Sequence, residues 1–164
     1  QSYQIYRSTA KDGDYQNIKT INSVGTSSWT DGSVKTGKTY YYKIKTVVKT
    51  QNGEQTSGFS NVKSAKAVPA KTTLKAKASD AKNVKLTWSK VKGASGYEIY
   101  RSNSKDGKCS KVKTISKGST TSYKNGKLKK STTYYYKIRA YRKVNGKKVY
   151  GSYSSVVSVK TKAK

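Results

Sequence analysis

Shifted by 94 positions, this chain falls on itself. SYQIYRSTAKDG, from Ser2, lies on GYEIYRSNSKDG, from Gly96. NIKTI (17–21) lies on KVKTI (111–115). SWTDGSVKTGKTYYYKIK, from Ser28, lies on SYKNGKLKKSTTYYYKIR, from Ser122. GFSNVKS (58–64) then meets SYSSVVS (152–158), with a one-residue length difference expected at the intervening NG turns. A constant register over most of the chain means two copies of one domain. The period is too long for a solenoid repeat and suits a small sandwich.

The second copy reads as strands throughout. TLKAKAS (73–79) and NVKLTW (83–88) alternate with period two. YEIYRS, KVKTI, TTSY, YYYKIRAY and SSVVSVKT follow. KGASG, SKDG, KNG and VNGKK separate them as turns. Seven short strands with no helical stretch predict an all-β sandwich. The first copy begins at the equivalent of YEIYRS, so nothing in it matches TLKAKAS or NVKLTW. Domains are expected over 1–68 and 69–164. The boundary falls in AVPAK, which carries the only proline, Pro69, and reads as a semi-rigid link.

The second copy resembles a fibronectin type III domain over its whole length. Trp88 stands where that family places its strand-B core tryptophan. Leu128, followed by Tyr134, Tyr136, Ile138 and Ala140, matches the family's strand-F pattern. The resemblance implies two tandem immunoglobulin-like sandwiches, the first lacking strands A and B. It also implies a tyrosine corner at Tyr134 and Tyr40, whose hydroxyls bond back to nearby backbone. The family's usual Pro-Gly before that tyrosine is Lys130-Ser131 in the second copy, while the first keeps Gly37. The wording GYEIYRS with YYYKIRAY and VNGKKVYG is most similar to arrays in surface proteins of Gram-positive, clostridia-like bacteria. That implies an extracellular or cell-surface location.

Composition bears on partners rather than on fold. The net charge is +29, with 36 basic and seven acidic residues and no histidine. Without histidine, the Ser-His-Asp and Cys-His arrangements are excluded, and so is the commonest metal ligand. Asp12 and Asp14 in KDGD read as a turn rather than a calcium site, because Lys108 replaces the second acid in the other copy. No metal and no cofactor are expected. Cys109 aligns with Tyr15 and reads as a tolerated substitution. Glu98 alternates outward, so the buried carboxylate that a Lys–Asn crosslink would need is not expected. No apolar run approaches the ~18 residues of a membrane span. A chain without methionine reads as an internal piece of a longer polypeptide, in which the missing strands come from the parent or from another chain.

What remains is basic and aromatic residues in alternation. Tyr100, Arg101, Tyr135, Lys137, Arg139 and Tyr141 are expected on or beside one sheet face, with Arg101 at the strand end in the phase of Tyr97 and Ile99. The first copy repeats this with Tyr6, Arg7, Tyr41, Lys43 and Lys45. In each TYYYKI the middle tyrosine (Tyr41, Tyr135) faces out and the third (Tyr42, Tyr136) faces the core. Three functions stay open. The first is a structural or adhesive tandem whose charge favours anionic wall polymers or polysaccharides. The second is a carbohydrate-binding accessory module of a secreted enzyme. The third is nonspecific nucleic-acid binding.

Overall fold

Period-two alternation sends one set of side chains to each face of a strand, and the two copies use that rule with different outcomes. The computed structural model describes residues 1–164. It divides into two units, Gln1–Ala67 and Val68–Lys164. The first unit holds β1 (Ser2–Ser8), β2 (Gln16–Ile21), β3 (Thr39–Thr50), β4 (Gly53–Thr56) and β5 (Lys63–Lys66). The second holds β6 (Leu74–Ala78), β7 (Val84–Trp88), β8 (Gly96–Ser102), β9 (Ser110–Ile115), β10 (Ser122–Asn125), β11 (Thr133–Val144), β12 (Lys147–Tyr150) and β13 (Val157–Lys160).

The second unit is a two-sheet sandwich of the fibronectin type III kind. One sheet runs β10-β7-β6. The other runs β12-β11-β8-β9, with β13 also on β11. Leu74, Val84, Leu86 and Trp88 from the first sheet meet Tyr97, Ile99, Tyr134, Tyr136, Ile138 and Ala140 from the second. Trp88 packs on Tyr97 with ring centroids 5.4 Å apart. Its indole N–H is buried without an acceptor.

The unit has eight strands where the sequence pattern predicts seven. β11 is twelve residues long and outruns β8, so its far end pairs with β12 across the Asn145-Gly146 turn. Both turn residues have positive φ, 49° and 75°, which matches the twist of the hairpin they close. The chain then leaves the ladder and rejoins β11 as β13. Ser154 bridges the break, donating its N–H to the Ile138 carbonyl and accepting the Ile138 N–H on Oγ.

The first unit contains one sheet only, β2-β1-β3-β4, with β5 on β3. Its ladders sit at the second unit's positions throughout: Thr50↔Gly53 matches Val144↔Lys147, and Tyr42↔Lys63 matches Tyr136↔Val157. The expected length difference at the NG turns is therefore absent. The dipeptide has moved one position along a turn of unchanged length, and Gly53 carries the positive φ, 107°.

Each long strand is tied down at its start. The Tyr134 hydroxyl accepts the Lys129 N–H at 2.9 Å, and the Tyr40 hydroxyl accepts the Lys35 N–H at 3.0 Å. Both corners need a left-handed residue, which is Gly37 (φ 90°) in one unit and Ser131 (φ 51°) in the other. A serine there carries a Cβ clash that glycine avoids. Ser131→Gly is expected to stabilise the second unit by about 0.5–1 kcal/mol, and Gly37→Ser to destabilise the first by a similar amount. Urea unfolding followed by Trp88 emission in a Trp29→Phe background reads the former. Hydrogen exchange of the β3 amides reads the latter.

Candidate functional site

Alternation and register together build the outer face of the second unit's larger sheet. Glu98 stands directly opposite Arg139, and Tyr100 opposite Lys137. Tyr150 stands opposite Tyr141. The Arg139 guanidinium lies 3.7 Å from the ring centroid of Tyr150, 4.9 Å from Tyr153 and 5.4 Å from Tyr100. Its Nη2 donates to Glu98 Oε2 and to the Tyr100 hydroxyl, both at 2.9 Å. Lys137 covers Tyr153 at 4.4 Å, and Lys148 covers Tyr141 at 4.4 Å. The cations therefore cap the rings of their own unit.

Glu98 is the hub, and its surroundings correct the sequence reading. Its phase is outward, yet its side chain is 1% exposed. Arg139, Lys148 and Lys111 reach its carboxylate at 2.9, 3.0 and 3.5 Å. Tyr100 and Tyr150 donate to it as well. Long neighbours on an open face can roof a short acid, and strand phase does not register this. The polar partners of this buried carboxylate include no asparagine. Burial pushes the Glu98 carboxyl up, but hydrogen bonds from Tyr100, Lys148 and Arg139 outweigh it and hold it down at about 2.

The first unit repeats the face without the acid. Gln4 replaces Glu98 and accepts the Tyr6 hydroxyl at 2.8 Å. Lys43 lies 4.0 Å from the Phe59 centroid and 4.3 Å from Tyr15. Lys45 lies 5.6 Å from Tyr6. Tyr153 and Phe59, which the sequence reading passed over, are aromatic at matching positions of the two copies. The same self-alignment that located the strands thus carried the signal for them. Tyr15, Tyr150, Lys111 and Lys148 have no such matched counterpart.

Arg7 and Arg101 do not join this face. They turn inward, each 5.1 Å from the centroid of its corner tyrosine, Tyr40 or Tyr134. Arg101 Nη1 and the Tyr136 hydroxyl both donate to Asn125 Oδ1, at 3.2 and 2.8 Å. In the first unit Arg7 and Tyr42 converge on Asp31 at 2.7 and 3.0 Å. These are equivalent clusters in which a carboxylate in one copy stands for an amide in the other. Burial pushes the Asp31 carboxyl up, but hydrogen bonds from Ser33, Arg7 and Tyr42 prevail and hold it at about 2.

Tyr141 is also withdrawn from the surface, with 1% exposure. It lies across Gly96, where an added Cβ would meet its hydroxyl and the Ile115 carbonyl. Tyr41 and Tyr135 are half-buried on the outer face, as are Lys43, Lys45, Lys137 and Tyr100. Cys109 is a free, half-buried thiol. Taken together, the face offers cations, and it offers few bare ring faces on which a sugar or base could stack.

No family model matches the chain, and no curated protein matches it. Among solved structures, the chain is similar to the FN1–FN3 domains of chicken CNTN1, at 20% identity and a TM-score of 0.51. That match covers 98% of this chain and 56% of that one, so the chain spans little more than half of its length. It is also similar to the sixth fibronectin type III domain of human fibronectin type III domain containing protein 3. There the identity is 18% and the TM-score 0.50, covering 61% of this chain and 92% of that one. Identities this low establish a shared fold.

Glu98→Gln leaves Arg139 and Lys148 without their anion and is expected to cost the second unit about 3 kcal/mol at pH 7. Because the folded pKa lies below the ordinary 4.5, the stabilisation is present above that value and is lost as pH falls from about 4.5 to about 2. Urea midpoints at pH 7, 4.5 and 3 should converge for wild type and variant. Tyr135→Ser, by contrast, is expected to shift stability by less than about 0.5 kcal/mol. A loss as large as that of Tyr136→Ser would mean that Tyr135 faces the core.

Proposed function

We propose that this chain is a non-catalytic structural and interaction module. In this reading it is a tandem spacer of a secreted or wall-attached Gram-positive bacterial protein that holds anionic polymers by charge. The carrying observation is the imbalance of partners. Five basic side chains reach a carboxylate, Arg7, Lys49, Lys111, Arg139 and Lys148. That leaves 31 of the 36 cations with no anion within ion-pair distance. A field of that sign attracts polyanions at long range. The bacterial surface location draws on the wording of the repeated motifs.

The capping of the rings supports charge over stacking. Arg139, Lys137 and Lys43 already occupy the faces of Tyr150, Tyr153 and Phe59. A carbohydrate-binding module would need exposed, uncapped aromatics. Single-stranded nucleic acid would need the same stacking surface, so it ranks here as one more polyanion.

Retention on immobilised heparin, polyphosphate and a neutral glycan tests this reading. Heparin and polyphosphate are expected to retain the chain. If about five lysines engage, affinity should fall on the order of several hundred-fold between 50 and 200 mM salt. Salt-insensitive, selective retention on the neutral glycan would overturn the reading in favour of a sugar-binding module. Loss of all retention at 50 mM salt would leave a spacer alone.

A further inference from the structure

The smaller sheet of the second unit, β10-β7-β6, has an outer face made of lysines and hydroxyls alone. Period-two alternation sends Val84, Leu86 and Trp88 into the core and leaves Lys85 and Thr87 outside. The neighbouring strands add Lys75 and Lys77 on β6, and Ser122 and Lys124 on β10. Register then decides which of these meet. Lys85 stands opposite Lys77 on one side and opposite Lys124 on the other. Two residues along β7, Thr87 stands between Lys75 and Ser122. Just past the strand ends, the hydroxyls of Thr73 and Ser89 share a hydrogen bond of 2.7 Å. Paired strands lie about 4.8 Å apart, so the three facing lysines form a row spanning about 10 Å at the backbone.

These lysines differ from the cations of the larger sheet. The ring-capping lysines are Lys43, Lys45, Lys113, Lys137 and Lys148. Those that reach a carboxylate are Lys49, Lys111 and Lys148. Lys75, Lys77, Lys85 and Lys124 do neither, and all four are exposed. The acid of the β6–β7 turn, Asp80, is taken up by the Lys82 N–H and the Asn83 amide, both at 2.8 Å. Lysine on the outer strands β6 and β10 protects the sheet edges from further pairing. Edge protection does not account for Lys85 on the central strand. Like charges directly opposite one another destabilise a sheet, so the row calls for an anion that this chain does not supply.

Granted the polyanion reading above, on which this rests, we propose that Lys77, Lys85 and Lys124, with Lys75 beside them, bind a linear phosphate polymer laid across the strands. A straight, regular row suits successive charges of one chain rather than a single ion. It holds no arginine, whose planar fork pairs bidentately with carboxylates. Lysine is a point charge, which a tetrahedral phosphate meets from any side. The hydroxyls of Thr87 and Ser122 beside the row can donate to phosphate oxygens, which accept more strongly than those of a sulfate ester. No aromatic side chain leaves by this face, so the bases of a nucleic acid would find nothing to stack on.

The test titrates the full chain and two charge-matched triple variants with inorganic polyphosphate at several salt concentrations. Lys77→Gln, Lys85→Gln and Lys124→Gln together are expected to weaken binding at least about tenfold and to lower the slope of log K against log salt by about 2–3. Lys43→Gln, Lys45→Gln and Lys137→Gln, which remove three ring-capping lysines, should weaken it by less than about threefold. Relief of the facing charges should leave the urea midpoint of the second unit unchanged or raise it, so that lost affinity is not lost fold. Equal losses in the two variants would overturn the row while leaving the polyanion reading in place as a property of net charge. No binding by the unaltered chain would overturn both. Two further results would overturn the phosphate-polymer assignment alone: orthophosphate binding as tightly as the polymer at equal phosphate concentration, or a row-dependent preference for heparin over polyphosphate.

Discussion

A sheet that is apolar on one side is stable in water when something covers that side, and the two halves of this chain separate on that one requirement. In the second unit, five residues of β6 and five of β7 cover the larger sheet, and Ile99, Ile138 and Tyr136 lose all contact with solvent. Burying a side chain of that size contributes about 1.5–3 kcal/mol. The first unit has the same registers within its one sheet and the same corner tyrosine. Without a covering layer, its Ile44 remains in water and Ser28–Asp31 has no neighbour to pair with. The backbone of a strand and the burial of its side chains thus depend on a partner sheet that local sequence does not encode.

Within each unit a second device joins the long strand to the loop that precedes it. An arginine from the first strand of the large sheet and a third-position tyrosine converge on one acceptor, Asp31 or Asn125, with the arginine lying over the ring of the corner tyrosine. The acceptor's charge has changed between copies while its geometry has not. With Asp31 ionised, the first unit gains stability above the ordinary carboxylate range that its sister obtains there from a neutral amide. The second unit holds its own buried acid on the opposite face, at Glu98, where the first has Gln4. Each copy has placed one carboxylate beneath its cations, at non-equivalent positions.

The sandwich and its strands were legible in the sequence because each rests on a local pattern: period-two alternation, turn residues, or a self-alignment that doubles every signal; the two corner tyrosines came from the resemblance to fibronectin type III domains. Side-chain roles on the basic face were less so. Arg101 lies next to an outward position and Tyr141 occupies one, yet the first reaches inward to Asn125 and the second lies over a glycine. Glu98 has the outward phase of a solvent-facing residue and is buried by the length of Arg139, Lys148 and Lys111. Phase states which side of a sheet a residue leaves by. How far its neighbours then reach over it is a property of side-chain length and of strands distant in sequence, such as β12.

The capping of aromatic rings by lysine and arginine sets a limit on the basic face. A cation drawn from Phe59 or Tyr153 toward an approaching phosphate or sulfate gives up a contact of about 0.5–1 kcal/mol and leaves a ring face in water. In the proposed role, anion capture and ring capping would compete for the same ammonium groups. Each such lysine would then contribute less to affinity than a free one, and the proposed pull on a polymer would be weaker than the count of positive charges implies.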